Sequence, residues 1–425
     1  MRYRRPSDVR SQWRADPWRS TVARFSISRM ISVTGTRVSW IALVAVIYAR
    51  TGSGAWISAA LVVQFGVFTV SAPWTGAIGD RFDRRRVMIA SDLSAAVAFT
   101  GIAFAHSPIL LVVLAGVASV AEAPFGPASS AFLVMLVPEE ERARATASRA
   151  AASSVGVILG GMIGGIVVAA LGGTTAFLLN AVSFVFSALL VLTIRGNYRA
   201  APSTDPSHAG VWAGVRLIGR EPALRLVIAA NGAALVGYGM VNIAEFPLFA
   251  LLGSGAKGFG IATAGFGIGQ FTGSRLGRRA EGARREKYAL LVGWLVGGIT
   301  LLACGVIPSN IAVILLFSVS GIGSALAGVA TTLVLQRRAP DAVRARVFAA
   351  SGSVNIGAIV IAMIVGGALV GPLGPVALCL VCGAVTMLAL LPSYLLPPRG
   401  GLPWKPDEEP ATTPPARSSR WLFAT

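Results

Sequence analysis

Gly76-Ala77-Ile78-Gly79-Asp80-Arg81-Phe82-Asp83-Arg84-Arg85-Arg86 places four arginines and two aspartates in one short connection between the apolar runs 55–78 and 87–105. Each run is long enough to cross about 30 Å of hydrocarbon, which takes roughly 20 apolar residues at a rise of 1.5 Å. A connection this charged between two such runs must lie at a membrane face. Short loops rich in Lys and Arg resist translocation, so this face is expected to be the cytoplasmic one. That sets the orientation of every other segment.

Composition agrees. With 54% hydrophobic and 13% charged residues among 425, and a mean hydropathy of +0.70, a soluble globular fold is excluded, because the apolar runs would have nothing to bury against. A net charge of +19 invites a nucleic-acid reading. The arginines, however, sit in the breaks between apolar runs rather than along a helix face with interleaved aromatics, so they read as topology signals and contacts to anionic lipid. Lysine occurs only at 257, 287 and 405. Cys304, Cys379 and Cys382 all fall inside apolar runs, which argues against a disulfide framework or a zinc site. Leu380 and Val381 between the last pair make packing the better reading than a redox C-x-x-C. A cleavable signal peptide is not expected, since the first residues are Arg-rich and the next apolar run is too long for an h-region.

Apolar spans are predicted at 23–49, 55–78, 87–105, 109–136, 144–170, 174–194, 224–252, 258–276, 288–306, 309–335, 345–371 and 374–396. The even number returns the C-terminus to the side of the N-terminus. Arg81 to Arg86, Arg142 with Arg144, Arg195 through Arg225, Arg275 to Lys287, and Arg337, Arg338, Arg344 and Arg346 fall on the expected inside. Only Arg50 and Lys257 fall on the expected outside, as the positive-inside rule demands. Residues 1–22 form a basic tail with Trp13 and Trp18 placed for the headgroup layer, 23–196 and 224–396 two helical halves, and 197–223 a cytoplasmic linker. The linker ends in a short amphipathic stretch, Trp212 to Arg220. Residues 397–425 form a Pro-rich tail of disordered composition.

The halves repeat. Pro138-Glu-Glu-Glu-Arg-Ala-Arg-Ala-Thr-Ala147 aligns with Pro340-Asp-Ala-Val-Arg-Ala-Arg-Val-Phe-Ala349 at a shift of 202 residues. At that shift Gly164-Gly165 falls on Gly366-Gly367 and Leu171-Gly172 on Leu373-Gly374. Gly273-Ser-Arg-Leu-Gly-Arg-Arg279 echoes Gly79-Asp-Arg-Phe-Asp-Arg-Arg85, with Ser274 in place of the acid. A duplication in parallel orientation follows.

The opening stretch resembles the signature loop between helices 2 and 3 of the major facilitator superfamily, G-x-x-x-D-[RK]-x-G-R-[RK]-[RK]. It matches at Gly76, Asp80, Arg81, Arg84, Arg85 and Arg86 and departs at Asp83, where the family has glycine. The resemblance extends over residues 23 to 396 and implies an all-α membrane protein with twelve transmembrane helices in two pseudo-symmetric six-helix bundles. The order of elements is most similar to bacterial exporters of the macrolide-efflux and siderophore-export kind. It also implies that Asp80, Arg81 and Arg84 latch the inner face against the start of helix 11 near Arg344 when the outside is open.

Ionisable residues inside spans are costly and therefore functional candidates. Arg37, Asp92, Glu122 and Glu245 stand out. By the resemblance, helices 1, 4, 7 and 10 line a central cavity, so Arg37, Glu122 and Glu245 are expected to face it. Low dielectric penalises the charged form of a carboxyl, which suits Glu122 to carry an exchanged proton; a static pair with Arg37 is the competing reading. Asp92 is expected to brace the loop arginines. Helix 4 lacks the R-x-x-x-G element of some of the superfamily's drug exporters. It carries instead Glu122-Ala-Pro-Phe-Gly-Pro-Ala128, whose prolines are expected to kink it below Glu122. Gly156, Gly160, Gly161, Gly164 and Gly165 resemble the helix 5 motif of the superfamily's antiporters, G-x3-G-P-x2-G-G, with Gly161 standing for proline, and imply export by exchange. No P-loop occurs, the run Gly265 to Gln270 lies in an apolar span, and His106 and His208 lie in loops, so no nucleotide, metal or other cofactor is expected.

The expected function is thus proton-coupled export of a small amphipathic molecule by a monomer of the bacterial inner membrane with both termini inside. Its partners are the substrate, protons and anionic lipid, not nucleic acid. A non-transporting sensor or assembly partner of the same fold, or an importer or uniporter, is the alternative; an enzyme finds no catalytic constellation.

Overall fold

The computed structural model describes residues 17–194, 198, 218–339 and 341–396, with the side chains of 17–19, 72, 73, 75–81, 143 and 341–346 outside that description. The basic tail to residue 16, the linker stretch from Trp212 to 217 and the tail from 397 lie outside it as well. Among the described residues every regular element is helical.

The helices are α1 (Pro17–Thr51), α2 (Gly54–Arg81), α3 (Arg84–Ala103), α4 (Pro108–Glu122), α5 (Phe125–Leu136), α6 (Arg142–Leu192), α7 (Pro222–Leu251), α8 (Gly255–Gly277), α9 (Ala283–Val306), α10 (Asn310–Arg338), α11 (Asp341–Met387) and α12 (Leu390–Leu395). A single 3-10 turn at Glu139–Glu141 leads into α6. α4 and α5 together make one crossing, broken at Ala123 and Pro124. α6 and α11 each make two crossings. α6 leaves helical geometry at Gly172 (φ 80°, ψ 170°) and α11 at Gly374 (φ 77°, ψ 164°), a region of backbone space that only glycine enters without strain.

The reversal at Gly172 is visible in what each arm touches. Before it, Gly156 packs on Met30 and Val33, Gly160 on Thr34 and Arg37, and Gly164 on Val38 and Ile41, so this arm runs parallel to α1. After it, Gly173 meets Val46, Asn180 donates to Ser39, Ser187 bonds Ser28 and Thr193 takes a bond from Arg24, so the second arm descends. The second half repeats this register. Gly366 packs on Met240 and Ile243, which are Val38 and Ile41 displaced by 202 residues. Counting these reversals, the chain crosses twelve times in two pseudo-symmetric groups of six.

The groups meet along two related seams, α6 with α8 and α2 with α11. In the first, Gly165 lies against Ala256 and Gly260; in the second, Gly367 lies against Ala55 and Ser58. The Ser58 hydroxyl donates to the Met363 carbonyl at 2.6 Å. Trp40 meets Phe259 at 5.4 Å and Tyr48 meets Phe246 at 5.6 Å, so aromatic rings close the same end. One continuous apolar core fills this end and includes residues of both groups. Towards the arginine-rich end the core splits into two, one around Phe25, Phe132 and Val191, the other around Leu224, Trp294 and Val334. The molecule is therefore sealed at the end away from the arginines and parted at the arginine-rich end.

The charged connection works within its own half. Asp83 N-caps α3 by accepting from the Arg86 amide at 3.0 Å, and its second oxygen accepts from the Tyr198 amide at 2.8 Å. Arg85 donates to the terminal carbonyls Val191 and Leu192 of α6, and Arg84 to Ala131 of α5. The acid that departs from the family pattern thus ties the loop to the far end of its bundle. With the arginine-rich end parted, Arg84 keeps to its own half, and the latch expected when the other end is open is not formed by it; the side chains of Gly76, Asp80, Arg81 and Arg344 lie outside the described ones.

Candidate functional site

Two hollows share a wall, one within the first half and one between the halves. One, about 410 Å³, is enclosed by α1, α2, α3, α4 and both arms of α6, and has Arg29, Arg37 and Glu122 on its surface among Trp40, Phe65, Phe68, Phe99 and Phe177. The other, about 500 Å³, lies between α6, α8 and α10 and is lined without charge, its polar groups being Ser153, Ser154, Gln270, Ser274 and Thr332. Ser153 and Val157 belong to both.

Glu122 is the last residue of α4. Pro124 supplies no amide and Pro127 follows within the first turn of α5, so the helix yields directly after the carboxylate. The helix is interrupted here although Ala123 and Pro124 keep helical angles, and Glu122 lies at the rim of that break.

Arg37 and Glu122 thus line one cavity, yet no ion pair joins them among the described residues. The charges near Glu122 are Arg29 and Asp92. Arg37 instead lies 5.8 Å from the Trp40 ring. This removes the static Arg37–Glu122 pair as an account of the acid.

Arg29 is the cation that the sequence reading passed over, together with Arg149. Both lie inside predicted spans, so the same rule that singled out Arg37 points to them. Arg29 lies over the Phe125 ring at 5.4 Å, and Arg149 donates to Ser129 at 3.5 Å. Asp92 does not brace the loop arginines. It is 2% exposed, bonded to Ser187 and within electrostatic reach of Arg29. Its Oδ2 and the Nε atoms of Arg29 and Arg149 are buried with no hydrogen-bond partner among the described residues. Two acids and two arginines, of which Asp92 is fully buried, therefore form a partly buried cluster at the cavity with part of its hydrogen-bonding capacity unused.

Glu245 lies elsewhere. It is 6% exposed, does not line the cavity, and sits in the second half beside Cys304 and Cys379. The expectation that α7 presents it to the hollow, near water, is corrected: α7 turns this residue into its own bundle. The three cysteines are free and buried. No group of His, Cys, Asp or Glu suited to a metal occurs among the described residues.

The helix 5 glycines have two distinct faces. Gly156, Gly160 and Gly164 lie against α1, whereas Gly161 meets Ala264 and Gly165 meets Ala256 and Gly260 of α8. Spacings of four keep one face on a partner within the half and set the other on the seam between halves.

The family model of the Major Facilitator Superfamily matches residues 25–355 and 250–425. The MFS-type transporter YfiS of Bacillus subtilis is 25% identical over 333 residues, covering 75% of this chain and 79% of that protein. The multidrug efflux pump Tap of Mycolicibacterium fortuitum is 26% identical over 340 residues, covering 76% and 83%. In fold, the chain is similar to a bacterial homolog of the human lysosomal transporter Spinster in its inward-facing, unoccupied conformation, with a TM-score of 0.70, 17% identity and coverage of 90% and 97%. It is similar also to the nucleoside transporter NupG, with a TM-score of 0.72, 12% identity and coverage of 88% and 99%. By sequence along its whole length and by fold, this multi-pass membrane transporter belongs to the Major Facilitator Superfamily.

Proposed function

We propose that the protein is a proton-coupled antiporter that exports a small amphipathic molecule across the bacterial cytoplasmic membrane. The observation that carries this reading is Glu122: an acid at a helix break, on the wall of a hollow in the first half of a molecule that is parted at one end and sealed at the other. The arginine-rich end is taken as cytoplasmic on the positive-inside rule, with both termini there. The molecule is then parted towards the cytoplasm, and cargo enters from that side to reach the phenylalanines.

The two halves rock about the α6–α8 and α2–α11 seams to expose the hollow on the other side. Proton and cargo drive this only through differential affinity for the two states. A proton on Glu122 changes the balance of charge facing Arg29 and Asp92, and so biases which state is favoured. In the outward state Asp80, Arg81 and Arg344 close the arginine-rich end. The glycine pattern of α6 and the relation to an efflux pump favour export over import.

The test uses everted membrane vesicles with an acidic interior and a panel of anionic, neutral and cationic fluorescent amphiphiles, so that no charge class is presupposed. Vesicles carrying the wild type are expected to accumulate at least one dye while their pH gradient decays, and Glu122→Gln to abolish both. Equal uptake by wild type, Glu122→Gln and empty vesicles refutes the reading.

A further inference from the structure

We propose that the cargo is an amphipathic anion whose acidic group, a carboxylate or phosphate, is held by Arg37, with its apolar body against the aromatic wall. This deepens the transport reading and rests on it. The argument begins with a count of charge. The arginines near the base, Arg29 and Arg149, are matched by two acids, Glu122 and Asp92, which lie within electrostatic reach of Arg29. Arg37 is the cation left over: by the same measure no acid lies within electrostatic reach of it among the described residues, and its neighbour is the face of Trp40.

A half-buried guanidinium without a counter-ion is costly, and a π-face only partly offsets that cost. An anion entering the cavity supplies what the protein withholds. Arginine is suited to this task, because its planar fork meets a carboxylate or phosphate through two parallel hydrogen bonds. Its position is constrained as well. Gly160 lies against the Cβ of Arg37 and the carbonyl of Thr34, so the side chain leaves α1 directly beside the first arm of α6. Phe65, Phe68, Phe99 and Phe177 provide the apolar surface around it. A cationic amphiphile would meet Arg29 and Arg37 on the same wall, with Glu122 within electrostatic reach of Arg29. At the corresponding place in the second half, 202 residues on, the chain has Gly239, so the anchor exists once and the anion binds off the pseudo-symmetry axis.

The test measures binding of 2-naphthoate, 2-naphthamide and 2-naphthylmethylammonium to the full-length protein in phosphatidylcholine nanodiscs. Wild type is expected to bind the naphthoate at least about tenfold tighter than the amide, and the ammonium weakest, as loss of one charge-assisted pair implies. Arg37→Gln should bring the naphthoate within about twofold of the amide, and Arg37→Lys should restore part of the preference. Preference for the ammonium, a naphthoate preference that survives Arg37→Gln, or no naphthoate binding at about 1 mM, where an anchored ligand should already bind, overturns the proposal. Phosphatidylglycerol nanodiscs separate two sources of the acidic group. Unchanged naphthoate affinity supports cargo binding, whereas its loss means that a lipid phosphate occupies Arg37 and overturns the assignment. Dye exchange that depends on Glu122 but ignores dye charge would sink this inference and leave the transport reading standing.

Discussion

Replacing Gly165 with alanine should tip the molecule out of the state seen here. A Cβ at that position would lie 2.8 Å from the Ala256 carbonyl oxygen and 2.9 Å from the Gly260 Cα, both backbone atoms of the other half. Nonbonded contacts of carbon settle at about 3.5–4.0 Å, so α6 and α8 must separate by roughly 0.5–1 Å at this seam. Overpacking of this kind costs about 1–3 kcal/mol, and the cost falls only on the state in which the seam is closed. The equilibrium between states should therefore move by about 5–150-fold toward the one open at the far end. Gly164→Ala is the control. Its Cβ would meet Ile41 at 2.9 Å and the Val38 Cα at 3.0 Å, both in its own half, so it should lower thermal stability in either state without changing their ratio.

The assay is pulsed electron–electron distance measurement on a background without Cys304, Cys379 and Cys382, all of which are buried. Exposed Ser107 and Ser309 report on the far end, and exposed Thr146 and Arg278 on the arginine-rich end. Gly165→Ala should lengthen the first distance and shorten the second. If both distributions overlay those of the parent while the protein remains folded, or if Gly164→Ala produces the same change, the seam is not what holds the far end shut.

Two further outcomes are expected. Asp83→Ala removes both the cap on Arg86 and the tie to Tyr198, and should cost about 1–2 kcal/mol in thermal unfolding, with Asp83→Asn costing less because one acceptor remains. An unchanged melting temperature for Asp83→Ala would show that the tie carries no weight. Gly172→Ala and Gly374→Ala should each destabilise by about 1–3 kcal/mol, because alanine resists a φ near +80°, and should do so to similar extents as members of one repeat. A melting experiment in which one tolerates alanine and the other does not would contradict their equivalence.

The alternation of apolar runs with arginine-rich breaks is sufficient to read the helical class, and the 202-residue shift is sufficient to pair Gly172 with Gly374 without their backbone angles. Both signals are local: the length of a run must match a bilayer, and a reversal that needs positive φ needs glycine. Side-chain direction within a span is much less legible. Glu245 and Glu122 are both acids in apolar runs on helices expected to line the hollow, yet one faces Cys304 and Cys379 and the other the cavity. Arg29 meets the same criterion as Arg37, and only the packing of the helices shows which of the two lies near Glu122.

Sequence alone determined the number of crossings, the duplication and the concentration of positive charge at one end, because transfer of residues into hydrocarbon is decided segment by segment. Tertiary structure decided which charges meet, which end is closed and which walls enclose the hollow. A helix apolar on every side carries no moment to orient it, so its rotation is set by how small residues on neighbouring helices fit together, as Gly165 fits Gly260.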